Sequence, residues 1–576
     1  MYVDPRPIAV HNAGWDTGMK VVATVKTPVG HTPESAILTK NLGGMEILDR
    51  LYDWLMQLRP HPPPSLDSMR LSEDGHADNA LMVTSAIIQF FTWNARNPEM
   101  SWWQFFESEV PNLAEMGFTQ VWLPPPNKAM KKTGQGYDAY DLWDLGEFEQ
   151  KATISTRWGT KEELVEAISV ARNQGIDVLI DAVLNHKLGA DRKETFKAVP
   201  VDPENRLKTI GPVREIEGWT AFDFTGRGGK YSQLKWTHEH FTGVDWDHRT
   251  RTKGIFRIVS DKHKGWSLFV DKEYGNYDYL LGVDIDHRHP EVRRDLLAWA
   301  TWVPANNNSS QTTGAMGFRL DAIKHMDRRF LLAFLKTARQ LKGRENMFAV
   351  AEYWSGDVNL VRPYIKAFEG LLTFFDVPLH YNFRNASKAG SAYDLRTILD
   401  RTVVQLRPGD AVTFVDNHDT QIGQTLESWV NSKFKLQAYA LILLRAQGHP
   451  CVFYGDLYPN DECYDKPVAI GLKVVIEARK KFAYGVQRDY FQERNCIGFI
   501  REGNDGHDGC AVLLSNADID EDEESIHTIR MNVGNRYAGK RFHSFLKNAE
   551  LIDIDPAGWG SFTCPHGRVQ IWIPIN

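Results

Sequence analysis

Short apolar runs rich in Val, Ile, Leu and Phe recur along the chain at 87–91, 120–123, 176–183, 315–320, 348–351, 371–375, 412–415 and 450–454. Each is too short for a helix and apolar at consecutive positions, the pattern of a parallel strand buried on both faces. Between them the apolar residues change to a helical period, most plainly over 161–173, 290–302, 328–341 and 433–445. Eight strands alternating with helices predict an α/β fold, a (β/α)8 TIM barrel, whose chemistry gathers at the C-terminal ends of its strands. A doubly wound open sheet alternates in the same way but needs a Gly-rich turn after an early strand. The one candidate, Gly226-Arg-Gly-Gly229, follows no such run.

Two stretches break the alternation. Residues 186–286, rich in Gly, Trp, Lys and Asp, are too long for a barrel loop and predict an inserted subdomain after the third strand, over the barrel mouth. At 496–501, 511–515, 528–533, 550–554 and 569–573 short β-type runs separated by turns predict a C-terminal antiparallel β-sandwich domain over 481–576. The catalytic barrel is then 81–185 together with 287–480, with a polar loop insertion at 306–313. Residues 1–80 hold one helical pattern at 44–58, then Pro60, Pro62, Pro63 and Pro64 and an acidic polar stretch. They read as an N-terminal extension and linker, partly disordered.

Composition narrows the ligand. A net charge of -7 and a pI near 6.3 supply no basic field for a polyanion, which argues against nucleic acid. The 18 Trp, 19 Tyr and 29 Phe exceed what a barrel core needs and leave flat apolar faces for stacking on a neutral ligand such as a sugar ring. The five cysteines are odd in number, without CxxC spacing, and read as reduced thiols rather than a disulfide framework or zinc site. With neither a signal-peptide pattern at 1–20 nor an apolar run of membrane-spanning length, the expectation is a cytoplasmic monomer without a membrane partner.

Three of the predicted strands end on or beside a carboxylate: Gly317-Phe-Arg-Leu-Asp321, Phe348-Ala-Val-Ala-Glu352 and Val412-Thr-Phe-Val-Asp416-Asn-His-Asp419. Any one of these acids is as readily a helix cap, but three at strand ends with Arg319 and His418 beside them point to chemistry. Glycosidic bonds break when one carboxylic acid protonates the leaving oxygen and a second carboxylate attacks or stabilises the cationic carbon. Arg319 lies two residues before Asp321 and so on the same strand face, which favours an ionised Asp321 as nucleophile and leaves Glu352 as the acid.

At these residues the chain resembles a known family. The segments Asp181-Ala-Val-Leu-Asn-His186, Gly317-Phe-Arg-Leu-Asp-Ala-Ile-Lys-His325, Ala351-Glu-Tyr-Trp354 and Phe414-Val-Asp-Asn-His-Asp419 are similar, in order and spacing, to the four conserved regions of the α-amylase family, glycoside hydrolase family 13. Gly136-Tyr-Asp-Ala-Tyr-Asp-Leu-Trp-Asp-Leu-Gly-Glu-Phe148, Gly275-Asn-Tyr-Asp-Tyr279 and Gly558-Trp-Gly-Ser-Phe562 look like the liquefying bacterial and intracellular fungal α-amylases, and the resemblance runs from about residue 87 to the end. It implies Asp321 as nucleophile, Glu352 as acid/base and Asp419, rather than Asp416, as the third carboxylate gripping sugar hydroxyls. It also implies His186, Arg319 and His418 around that sugar, Tyr137 stacked on it, and Lys324 with His325 on the leaving-group side. Because the family retains anomeric configuration, Asp321 and Glu352 should lie about 5 to 5.5 Å apart.

The resemblance further implies one calcium, held by Asn185, Asp278, Asp284 and the backbone carbonyl of His325. Two positions that carry metal-binding acids in the liquefying relatives are Thr242 and Ser267 here, so no multi-metal cluster is expected. The implied activity is retaining endo-hydrolysis of α-1,4-glucosidic bonds in starch, glycogen or maltooligosaccharides. The alternatives are a 4-α-glucanotransferase, in which a sugar hydroxyl takes the covalent intermediate, and a non-catalytic glucan-binding member.

Overall fold

Apolar strands with no polar face are stable only where both sides are covered, and a closed barrel ringed by helices covers them. The computed structural model describes residues 85–260, 265–305, 312–519, 525–546 and 551–575. The extension and linker expected over 1–80, the start of the catalytic barrel at 81–84 and most of the polar loop at 306–313 lie outside them.

Strands β1 (Ile87–Gln89), β2 (Gln120–Trp122), β3 (Asp177–Ala182), β4 (Gly317–Leu320), β5 (Phe348–Ala351), β6 (Thr373–Phe375), β7 (Ala411–Phe414) and β8 (His449–Phe453) form the closed barrel. Every neighbouring pair is parallel, and β8 pairs back onto β1. A helix of ten residues or more follows each strand along the chain: α1 (Trp102–Met116), α2 (Lys161–Asn173), α3 (Pro290–Trp302), α4 (Arg328–Ala338), α5 (Val358–Ala367), α6 (Val377–Ala389), α7 (Ser432–Leu444) and α8 (Lys466–Phe482).

Their starts are written locally. Ser101 and Thr160 make reciprocal capping boxes with Gln104 and Glu163, and Asp327, Asp357, Asp376, Asn431 and Asp465 accept first-turn N–H groups. α3 has no side-chain cap and relies on Pro290 at its first position.

α7 is apolar all round, and ten of its thirteen residues are buried. Such a helix needs cover on both sides. Gln437 Nε2 donates to the carbonyls of Ser515 and Gly567 at 3.1 and 2.9 Å, so its outer side faces the C-terminal domain. There six antiparallel strands run in the order Gln487–Tyr490, Cys496–Arg501, Cys510–Ser515, Val569–Pro574, Arg541–Ser544, Leu551–Asp553. A strand pair, Ile526–Asn532 with Trp559–Pro565, shares a core with this sheet through Ile529, Met531, Phe562 and Cys564 against Ile500, Leu513 and Trp572. The five cysteines are unpaired.

The insertion is a seven-stranded antiparallel sheet. Its edge strand His186–Lys187 leaves the barrel directly after β3 and pairs with Val283–Ile285, placing His186 opposite Asp284. Residues far apart in sequence are thereby brought together at the barrel rim. No helix among the described residues is long and apolar enough to cross a membrane.

Below the rim, Lys435 of α7 sits between Asp416, at 3.0 Å, and Asp456, with its ammonium 3.2 Å from the centre of the Trp429 ring. Tyr439 donates to Asp456 and Thr420 to Asp416, at 2.6 and 2.8 Å. Asp416 therefore belongs to a buried ion network. Lys435→Ala strands two buried carboxylates and is expected to cost about 3–5 kcal/mol in urea unfolding.

Candidate active site

The mouth of the barrel is organised by one buried cation. Arg319 on β4 pairs in register with Asp181 on β3 and Val350 on β5, so its guanidinium stands between the strands that carry the acids. Nη1 contacts Asp181 Oδ1 at 2.9 Å and Asp321 Oδ1 at 2.6 Å, and Nη2 contacts Glu352 Oε2 at 2.8 Å. Leu320 and Ala351 are register partners, which places the next residues, Asp321 and Glu352, side by side. Ala322 turns left-handed (φ 49), an uncommon conformation for a residue with a Cβ, and its N–H donates to Glu352 Oε2 at 3.0 Å. Asp181 completes the floor by accepting from Trp122 Nε1 at 3.0 Å and the Tyr137 hydroxyl at 2.7 Å.

This corrects one expectation from the sequence, that Arg319 sets Asp321 apart from Glu352: the guanidinium serves both acids and Asp181 as well. Burial raises the affinity of Asp321 and of Glu352 for protons, and Arg319 opposes that rise in each. The charge of Asp321 adds to the rise in Glu352. Asp419 has no such contact with Arg319, and burial together with the charge of Glu352 pushes its carboxyl up to about 8.

The remaining residues close round these acids. Tyr137 and His418 stack with ring centres 5.0 Å apart and planes 9° apart. Gln89 Nε2 lies 3.1 Å from His418 Nδ1, which leaves the Nε2 proton of His418 facing Asp419 Oδ2 at 3.5 Å. His186 Nε2 donates to the carbonyl of Tyr137, and His325 Nδ1 to that of Tyr277, both at 2.8 Å. Burial lowers these histidines to about 4 and about 3, so both rings are neutral at pH 7. Lys324 is held by Glu273 from the insertion and reaches the Trp354 carbonyl at 3.4 Å. The structure adds Asp181, Trp122, Gln89 and Trp93 to the residues expected from the sequence. Of these, Asp181 alone carries a signal there, since it opens the first matched segment.

Of the residues expected around calcium, Asn185, Asp278 and Asp284 are all buried. Asn185 Nδ2 donates to Asp284 Oδ1 at 3.3 Å, and Asn185 Oδ1 is buried without a hydrogen-bond partner. Asp278 and Asp284 are buried, which raises the proton affinity of both, the charge of Asp278 raises that of Asp284 further, and neither bonds a lysine or arginine among the described residues. An orphaned oxygen beside two buried carboxylates fits a hard cation. At the two positions expected to lack acids, Thr242 Oγ1 donates to Asp284, while Ser267 N–H donates to Asp278 at 2.9 Å. Donors thus stand where further carboxylates would have demanded more cations. A separate trio, His240, His289 and Glu291, has ligand atoms within 4.8 Å of one another. There Thr237 N–H donates to His240 Nδ1, so Nε2 carries the proton and turns it toward Glu291 Oε2 at 3.4 Å instead of offering a lone pair.

Comparison with known proteins places these features in a wider group. The model of the α-amylase catalytic domain matches residues 103–462. The chain is 42% identical over 494 residues to a glucan 1,4-alpha-maltohexaosidase of Bacillus sp. (strain 707), covering 85% of this chain and 92% of that protein. It is 39% identical over 505 residues to the cytoplasmic alpha-amylase of Escherichia coli (strain K12), covering 85% and 99%. Among solved structures, an alpha-amylase from Geobacillus thermoleovorans complexed with acarbose aligns with a TM-score of 0.57 at 18% identity, over 86% of this chain and 99% of that one.

The acids set a pH signature. Asp419 binds its proton more tightly in the folded state, about 8, than its ordinary value of 3.8, so its burial penalty is fully felt above pH 8 and relieved as pH falls. Asp419→Asn is therefore expected to raise the unfolding free energy at pH 8 by roughly 1–3 kcal/mol, with the gain shrinking toward pH 5. Urea titrations across that range check it.

Proposed function

The chain belongs to the α-amylase family, an enzyme family that hydrolyses internal α-1,4-glucosidic bonds of glucans, and from that premise we propose how its own residues carry the reaction. Glu352 donates its proton to the glycosidic oxygen while Asp321 attacks the anomeric carbon, which breaks the C–O bond and forms a glycosyl ester. Glu352, now ionised, takes a proton from water, whose oxygen displaces Asp321 and regenerates both acids with retained configuration. The observation that carries this assignment is the Asp321–Glu352 pair, side by side at neighbouring strand ends and held on one guanidinium.

Asp419 takes the part of the third acid, accepting from sugar hydroxyls, and Tyr137 and His418 supply the stacking face and a donor. His186 and Arg319 surround the same sugar, and Lys324 with His325 flank the leaving group. A groove beyond the rim, lined by Met130, Lys187, Trp219, Val244 and Trp246, extends the glucan path with two half-exposed indoles. Asn185, Asp278 and Asp284, with the His325 carbonyl, would hold one calcium, whose charge would balance the two acids and join the insertion to the barrel. A cytoplasmic site of action is supported by the unpaired thiols and by the E. coli relative's name.

Glu352→Gln is expected to cut turnover of maltoheptaose at least ~10²-fold with little change in melting temperature. An unaffected variant would remove Glu352 as the acid. With the wild type, chromatography should show only products shorter than maltoheptaose and of retained anomeric form; longer chains would favour the transferase. Thorough chelation should lower the thermal midpoint, and calcium alone should restore it.

A further inference from the structure

The loop between β8 and α8 carries a carboxylate that bonds the loops after both neighbouring strands, β1 and β7. Glu462 Oε1 accepts from the Thr92 hydroxyl and from Asn94 N–H at 3.0 Å, and Oε2 accepts from Gln421 Nε2 at 2.7 Å. Gln421 Oε1 in turn accepts from Trp93 N–H at 3.2 Å. Thr92 and Gln421 are buried, and Gln421 stands two residues past Asp419. The network therefore ties the end of β1, the acid-bearing end of β7 and the β8 loop to one carboxylate.

What the network holds is the Trp93 indole. Its plane is 5° from those of Tyr137 and His418, with ring centres 5.8 and 6.0 Å away. Three nearly parallel rings thus stand beside the acids, and the loop of the third is bonded to Glu462 and Gln421. We propose that Glu462 is a positioning residue for glucan binding, holding Trp93 as the third ring of a sugar-stacking surface through Thr92, Asn94 and Gln421. This rests on the glucan-hydrolase reading above.

Two partners of Glu462, Asn94 N–H and Gln421 Nε2, only donate, while the Thr92 hydroxyl can accept as well, and Asn94 N–H reaches both Glu462 oxygens, at 3.0 and 3.1 Å. Glu462→Gln can therefore keep the network, its NH2 turned to Thr92 and its oxygen accepting from Asn94 and Gln421. Glu462→Ala removes every acceptor at once.

The test is steady-state kinetics on maltoheptaose. Because stacking on a sugar holds substrate and transition state alike, Glu462→Ala is expected to raise KM roughly 3- to 10-fold with kcat within about 2-fold. Glu462→Gln, which can keep the same partners, should leave KM close to the wild-type value. In a Trp93→Ala background, Glu462→Ala should add nothing. An unchanged KM in Glu462→Ala, a KM in Glu462→Gln raised as far as in the alanine variant, or an effect that adds to Trp93→Ala overturns the proposal. If Glu462→Ala fails to fold, Trp93→Ala decides: a raised KM supports the role of the ring, and an unchanged KM overturns it. Hydrolysis by the wild type tests the underlying reading separately.

Discussion

Four carboxylates meet at the barrel mouth around a single guanidinium. Arg319 contacts Asp181, Asp321 and Glu352 directly and faces Asp419 only through space. One positive charge cannot neutralise four negative ones, so burial leaves the cluster holding protons above the ordinary carboxylate range. That shortage of charge is what allows an acid and a base to coexist there, since a fully paired cluster would keep every member ionised. It also makes the site a cost to the fold, offset by the barrel beneath it.

The rest of the architecture serves that arrangement. The parallel register sets Arg319 opposite Asp181 and makes Asp321 and Glu352 neighbours. The left-handed turn at Ala322 adds a backbone donor to one oxygen of Glu352. The insertion ties in next to it, with His325 bonded to Tyr277 and Lys324 to Glu273. Whatever orders the Asn185–Asp278–Asp284 junction thus acts on the same turn that carries Asp321.

Much of this is legible in the sequence. Helices 161–173 and 290–302 are readable to the residue because Thr160 with Glu163, and Pro290, mark their starts. The three strand-end acids and the four motifs point to the rim. Strands Gln487–Tyr490, Arg541–Ser544 and Trp559–Pro565 escape such a reading, since their apolar residues alternate too briefly or are interrupted by polar ones facing solvent. Trp122 escapes it as a site residue because a single indole inside an apolar strand has no signature of its own.

By itself the sequence determined the order and kind of the elements, and which acids stand at strand ends, because periodicity and capping act over a few neighbouring residues. Only the tertiary structure decided which acids share Arg319 and which loops Glu462 ties together beside Trp93. Those outcomes depend on distances between segments as much as 370 residues apart, and on burial that no local pattern encodes.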